Sequence, residues 1–327
     1  MATALDGYFR GQLQERRKRI NDALAGSIES GRLSHLLAEV DQALARLDDG
    51  SFGLCETCHD PVEPDRLLVD PLLRFCLDHL SDVEARALEA DLETAARIQR
   101  GLLPDPVVRA AGWEIRWLFE PAGAVSGDYV DVIALPEGEE VLMVLADVSG
   151  KGVSAGFLMA HLRAIFRGLA GTGLGADEIL VRANRMFRES TLAPYLATAV
   201  CARASTAGRL EVANGGHWPP LAIRQGGLDP LPPTGLPLGV ASSCCYSAHR
   251  VRLDVGDTLV AFSDGLTEAL DRNDEAYGEE RLHEVLRRHR GNPLDELLAA
   301  CLADLASFTG GVPRGDDLTL LVARRVA

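Results

Sequence analysis

Apolar positions over residues 1–48 recur with a helical period and few breakers, interrupted near residues 26–31 by a Gly/Ser-containing turn, which predicts a helical hairpin. In its second arm Leu36, Leu37, Val40, Ala43, Leu44 and Leu47 follow at three- and four-residue steps, so they share one face. That face needs a partner, and the charged first arm is the nearest candidate. The polar, glycine-containing DDGSFG at 48–53 ends the helix. A helical pattern returns over 80–103, with Ala85, Leu88, Leu92, Ala95 and Leu102 near heptad spacing. It reads either as a signalling helix or coiled coil, or as an ordinary helix packed on the next domain. Pro104 and Pro106 close it.

From Trp113 the texture changes to short apolar runs separated by turn clusters. WEIRWLF, EEVLMVLADV, ATAVCARA, PLAIR, DTLVAFSDG and DDLTLLVARR read as strands, and the stretches 153–170 and 176–190 as helices between them. Hairpin-like strand pairs with separate helices predict an α+β sandwich rather than a regular βαβ alternation. These boundaries divide the chain into a module at 1–80, a linker helix at 81–104 and a large domain at 105–327. No internal repeat or low-complexity tract interrupts them.

With 327 residues and 47% hydrophobic content, the chain can bury the core of one large domain and a small one. A formal charge of −15 argues against a nucleic-acid surface spread over the molecule. The one basic run, Arg16, Arg17, Lys18 and Arg19, reads as a solvated helix face. The N-terminal residues lack the apolar core of a secretion signal, and no run approaches the length that spans a bilayer, so no membrane association and a cytoplasmic location are expected. Seven unevenly spaced cysteines fit a reducing compartment. Cys201, Cys244, Cys245 and Cys301 read as small buried apolar residues.

The remaining cysteines carry chemistry. Cys55-x2-Cys58 is followed by Cys76-x2-His79, two tight turns that can each aim two ligands at one ion. Four such ligands suit tetrahedral Zn²⁺ with no open position, hence a structural site, and His59 is the weaker substitute for His79. A second set is acidic. Asp147 ends the run VLMVLA, Asp264 ends TLVAFS, Asp316 with Asp317 opens LTLLVA, and Asp128 lies in the SGDYVDV turn before another strand. Carboxylates at strand ends can converge at one edge of a sheet sandwich, where without lysine or arginine they would repel one another unless divalent cations neutralised them. Hard oxygen ligands select Mg²⁺ or Mn²⁺.

The stretch from ALARLDDGSFG to FCLDH resembles the zinc finger of DksA/TraR-type proteins with its preceding hairpin, with His79 where that family usually has cysteine. The hairpin tip, residues 25–34, lacks the paired aspartates with which such proteins reach RNA polymerase, which leaves dimerisation, docking or sensing as roles for the module. GDYVD, ADVSGKG, SDGLTEA and GDDLTLLV, with NGGHWPPLAI, TGLPLGV and the lead-in IQRGLLP, resemble the SpoIIE/RsbU branch of metal-dependent type-2C protein phosphatases. That resemblance implies an α-β-β-α sandwich and two Mn²⁺ or Mg²⁺ ions. It makes Asp147 the bridging ligand, with the Val148 carbonyl completing one site and Asp128, Asp264 and Asp316 supplying the other carboxylates. The implied reaction is hydrolysis of phosphoserine or phosphothreonine by a metal-activated water, without a phosphoenzyme. Ser149 stands where eukaryotic relatives place a histidine; His217 reads as a turn residue and Lys151 as a surface lysine. The implied substrate is a phosphorylated regulatory protein, an anti-sigma-factor antagonist in that branch, with the N-terminal module as regulatory input and its helices as a route to a homodimer. Two other readings stand beside it: a zinc-finger transcription regulator bound to RNA polymerase, and a catalytically silent adaptor.

Overall fold

The computed structural model describes residues 2–24, 30–80, 82–191, 195–242 and 244–327. The chain divides into two compact units, residues 1–90 and 91–327. The expected hairpin turn falls largely on residues 25–29, outside the described residues.

In the first unit, α1 (Ala2–Leu24) and α2 (Ser30–Asp49) form the two arms. Leu13 and Ile20 of α1 are buried against Val40, Ala43 and Leu44 of α2, with Leu36, Leu37 and Leu47 packed around them. The apolar face of α2 is thus covered by α1, as the periodicity requires. The basic run lies on the outside: Arg16 and Arg17 reach Asp70 and Asp41 at 3.7 and 3.5 Å, and Arg19 pairs with Glu15. After α2 the chain turns through Gly50 and Gly53, both with φ near +80°. It then forms α3 (Pro64–Val69) and a single 3-10 turn (Leu77–His79). Phe9, Val62 and Leu67 pack with Cys55 and Cys76 into a small core. Helix α4 (Asp82–Leu102) follows, and the residues of its heptad pattern are half-buried or exposed.

The second unit is built on two antiparallel sheets. One has six strands in the order β1 (Val107–Ala110), β2 (Trp113–Glu120), β11 (Leu318–Arg325), β10 (Thr258–Phe262), β7 (Leu221–Arg224) and β8 (Gly227–Pro230). The other has five, in the order β3 (Asp128–Ala134), β4 (Glu140–Val148), β5 (Ala197–Ser205), β6 (Arg209–Gly215) and β9 (His249–Arg252). Alternation within the strands sorts the side chains into layers. Along β4, Val141, Met143 and Leu145 face the second sheet, where they meet Ile115, Leu259, Ala261 and Leu321. Leu142, Val144 and Ala146 face outward onto α5 (Val153–Ala170) and α6 (Ala176–Ser190). On the far side, Val260, Phe262, Leu320 and Val322 pack against α8 (Glu279–His289) and α9 (Leu294–Thr309). The result is the α-β-β-α sandwich that the resemblance implied. Trp113 ties the sheets together, its fully buried indole donating to the Ser205 carbonyl at 3.0 Å.

Three local expectations need correction. Cys201 and Cys301 are buried, but Cys244 is half-buried and Cys245 exposed, because they fall in the irregular chain between β8 and β9 rather than in a core layer. Asp128 is the first residue of β3 rather than part of the preceding turn, since it already pairs with Asp147 across the ladder. Asp264 opens a one-turn helix, α7 (Asp264–Thr267), rather than ending its strand.

Candidate metal centres and active site

Cys55, Cys58, Cys76 and His79 form one group in the first unit, all their ligand atoms within 4.8 Å of one another. The Cys58 and Cys76 sulfurs are 3.8 Å apart and Cys76 Sγ lies 3.3 Å from His79 Nδ1. Two sulfurs each about 2.3 Å from a tetrahedral zinc would be separated by about 3.8 Å, so the spacing fits that ion. The thiols are in electrostatic conflict. Burial pushes Cys55 up, but the amides of Cys58, Cys76 and Thr57 outweigh it and hold the thiol at about 6. For Cys58 the Asp60 amide pulls down, while burial and the Cys55 and Cys76 sulfurs prevail and raise it to about 12. A bound cation resolves that conflict by favouring thiolate throughout. His59, held at φ 60°, is outside the group.

The acidic set gathers in the second unit at one edge of the sandwich. The ladder places Asp128 directly opposite Asp147. A Cβ on Gly127 would lie 2.8 Å from the Val148 carbonyl oxygen and 3.6 Å from Asp147 Oδ1, so both oxygens overhang this glycine. From the other sheet, Asp264 follows β10 and Asp316 precedes β11. A Cβ on Gly265 would fall 2.0 Å from the Asp317 carbonyl oxygen, which shows how tightly these two segments abut.

The electrostatics follow from this crowding. Burial, then the charges of Asp264, Asp316, Asp317 and Glu268, push the Asp147 carboxyl up to about 7. Asp128 is raised well above the usual carboxylate range by burial and by Asp147, although the Thr319 hydroxyl donates to its Oδ2 at 2.5 Å. Asp264 is raised by burial and by Asp316. The expectation of a centre without a basic side chain is corrected: Lys151 Nζ lies 3.2 Å from Asp316 and donates to the Gly315 carbonyl at 2.6 Å. Lys151 is nonetheless largely exposed, and it acts on Asp264 and Asp316 rather than on Asp147. A partly buried set of hard carboxylate oxygens with one carbonyl fits divalent cations of the Mg²⁺ or Mn²⁺ kind.

Three residues that lie within the quoted motifs but received no role there hold this edge in place. Asp317 accepts from the amides of Ala122 and Gly127 at 2.8 and 3.0 Å, so it braces the loop before Asp128. Ser126 Oγ accepts from the Asp128 amide at 3.0 Å. Gln99 of α4, 5% exposed, donates to the Ser126 carbonyl at 2.7 Å and accepts from its amide at 3.0 Å. Asp317 was visible in the sequence as a second carboxylate; Gln99 lies in the lead-in IQRGLLP, but its bracing role was not legible because its partners are backbone atoms 27 residues away. His217 is buried and its ring held near pKa 4 by burial. Its Nε2 donates to the Phe262 carbonyl at 3.1 Å and its Nδ1 accepts from the Thr198 hydroxyl at 2.6 Å. With both ring nitrogens engaged it serves the turn. Ser149 Oγ accepts from the Leu196 amide.

Two packed sheets flanked by helices, with carboxylates meeting at one edge, define the PP2C-type phosphatase class. Residues 137–326 match the family model of stage II sporulation protein E, and residues 50–78 that of the prokaryotic DksA/TraR C4-type zinc finger. The chain belongs to the SpoIIE family of PP2C-type serine/threonine phosphatases, a family that works with divalent metal ions. Asp147, Asp264 and Asp316 fall inside the first matched stretch, and Asp128 lies ahead of it. It is 27% identical over 267 residues to protein IcfG of Synechocystis, covering 72% of this chain and 41% of that one, so it spans about two fifths of that relative. It is likewise 27% identical over 242 residues to the phosphoserine phosphatase RsbU of Bacillus subtilis, covering 73% of this chain and 71% of that one. Among solved structures, the SiaA PP2C domain of Pseudomonas aeruginosa superposes with a TM-score of 0.66 at 24% identity, over 75% of this chain and 99% of that domain. The RsbU and RsbW domains of Rv1364c from Mycobacterium tuberculosis give 0.58 at 28% identity, over 68% and 62%. Among the described residues no helix is long and apolar enough to cross a membrane.

Proposed function

We propose that this chain hydrolyses phosphoserine or phosphothreonine on a cytoplasmic regulatory protein, an anti-sigma-factor antagonist being the substrate that RsbU-like relatives suggest. The observation that carries the reading is the half-buried Asp147 carboxyl, which burial first and then the charges of Asp264 and Asp316 push up to about 7, with the buried Asp128 opposite it across the ladder. In this reading those four side chains and the Val148 carbonyl would hold two Mn²⁺ or Mg²⁺ ions, Asp147 contributing to both. Such ions would neutralise phosphoryl charge and make a water nucleophilic near neutral pH. The chain supplies geometry. The Thr319 hydroxyl fixes one oxygen of Asp128, and Asp317 and Ser126 fix the backbone leading into it. Because both nitrogens of His217 are engaged, the seryl oxygen takes its proton from water rather than from that ring. Hydrolysis of a generic phosphomonoester with and without Mn²⁺ tests the reaction: a rate indifferent to the cation, or unchanged in Asp264→Ala, would refute it.

Cys55, Cys58, Cys76 and His79 hold one structural Zn²⁺ in this proposal, and the module at 1–80 with the linker helix at 81–104 is the input to the phosphatase domain at 105–327. The contacts of Gln99 with Ser126 suggest where α4 meets the site. Gln99→Ala leaves a buried amide and carbonyl unpaired, and is expected to raise the Mn²⁺ concentration for half-maximal rate about tenfold. A metal titration at fixed substrate checks this.

The metal-free protein should also respond to pH. Asp147 takes up its proton near pH 7 when folded and near 4 when unfolded, so the folded form binds more protons between those values. Stability without metal should therefore fall as pH rises from about 4 to about 7, and added Mn²⁺ should restore it. Thermal unfolding at pH 5 and pH 8 in chelator, then in Mn²⁺, measures both effects.

A further inference from the structure

The edge that gathers the carboxylates also carries an apolar wall. A cavity of about 410 Å³ is lined by Asp147 and Asp264 together with Thr198, His217, Trp218, Pro219 and Pro233. The wall is built rigidly. The Asn214 side chain accepts from the His217 amide at 2.8 Å and donates to its carbonyl at 3.1 Å, which fixes the residue before Trp218. Gly216, at φ 68°, is where the next loop presses in: a Cβ there would meet Pro237 Cγ at 2.5 Å. The indole of Trp218 stands 6.3 Å from the Phe262 ring, on the strand that leads into Asp264. Trp218 therefore remains half-buried, beside the carboxylates, with part of its surface toward the cavity.

The charge of the lining is as informative as its shape. Apart from Asp147 and Asp264, which the proposed cations would neutralise, the lining holds no lysine or arginine to pair with an acidic side chain. Leu236, 54% exposed, extends apolar surface on the loop that packs over Gly216. Rigid aromatic and proline surface next to a reacting centre is suited to receive a neutral apolar group. Resting on the phosphatase reading above, we infer that Trp218, Pro219 and Pro233 form a specificity subsite for the residue flanking the phosphoserine or phosphothreonine of a protein substrate. The subsite selects apolar or aromatic flanking residues against acidic ones.

The test uses the full chain in Mn²⁺ with two phosphoserine peptides that differ only in one flanking residue, leucine or aspartate, and with their non-hydrolysable phosphonate analogues in calorimetry. The wild-type chain should favour the leucine peptide about tenfold in kcat/KM, the scale of one apolar contact in a specificity pocket. Trp218→Ala should bring that ratio close to one, Trp218→Phe should retain most of it, and the analogues should show the same split in affinity. Equal use of the two peptides by the wild-type chain, or a ratio unmoved in Trp218→Ala, overturns the subsite. A wild-type chain that hydrolyses neither peptide would instead overturn the phosphatase reading, and analogue affinities would still decide on the wall.

Discussion

Asp147→Ala is expected to lower Mn²⁺-dependent phosphomonoester hydrolysis by about a thousandfold or more, the scale seen when a group that organises transition-state charge is removed. Asp147 is central because every other candidate surrounds it. Asp128 faces it across the ladder, and Asp264 and Asp316 reach it from the second sheet. Asp147→Asn separates chemistry from folding. The amide keeps the shape but removes a buried charge crowded by other carboxylates, so at pH 8 in chelator it should raise Tm by roughly 5 °C while abolishing turnover. Equal activity in wild type and Asp147→Ala, or a fall in Tm for Asp147→Asn without metal, would contradict the assigned centre.

The second large effect concerns the first unit. Cys55 and Cys76 are part of its small core, beside Phe9, Val62 and Leu67, so ligand and core cannot be separated. A core of this size is insufficient alone, and structural zinc supplies about 10–16 kcal/mol in small finger peptides. Cys55→Ser should therefore reduce bound zinc from about one equivalent toward zero and abolish the unfolding transition of this unit. Metal analysis together with hydrogen exchange over residues 30–80 checks it: full zinc content and unchanged protection in the variant would show that the four side chains hold no ion. Because Cys58 is pushed to about 12 by its neighbours when metal is absent, zinc uptake should release protons and weaken at low pH.

Much of the architecture was legible because it depends on local periodicity. The helices at Val153–Ala170 and Ala176–Ser190 coincide with the predicted stretches, and the face of α2 meets α1 as its spacing requires. The strand Arg209–Gly215 and the helices Glu279–His289 and Leu294–Thr309 were not singled out. The first is short and half polar, and the two helices lie in a segment free of the motifs that drew attention elsewhere. The stretch SGDYVDV reads as a turn before a strand, whereas pairing with β4 draws Asp128 into the sheet. Lys151 looked like a bystander; the turn after β4 carries it to Asp316.

The sequence by itself determined the residue types and their order: two ligand pairs fit for zinc, carboxylates at the ends of apolar runs, and alternation that sorts each strand into an inner and an outer face. These are near-neighbour properties, fixed by the 3.6- and two-residue periods of the backbone and by the chemistry of each side chain. Only the tertiary structure decided which distant pieces meet: Asp147 against Asp264 and Asp316, Gln99 on the Ser126 backbone, Trp218 as a wall beside the carboxylates. Those meetings depend on how two sheets stack and which loops share an edge, and no single segment encodes that, because the free energy that selects it is summed over the whole buried core.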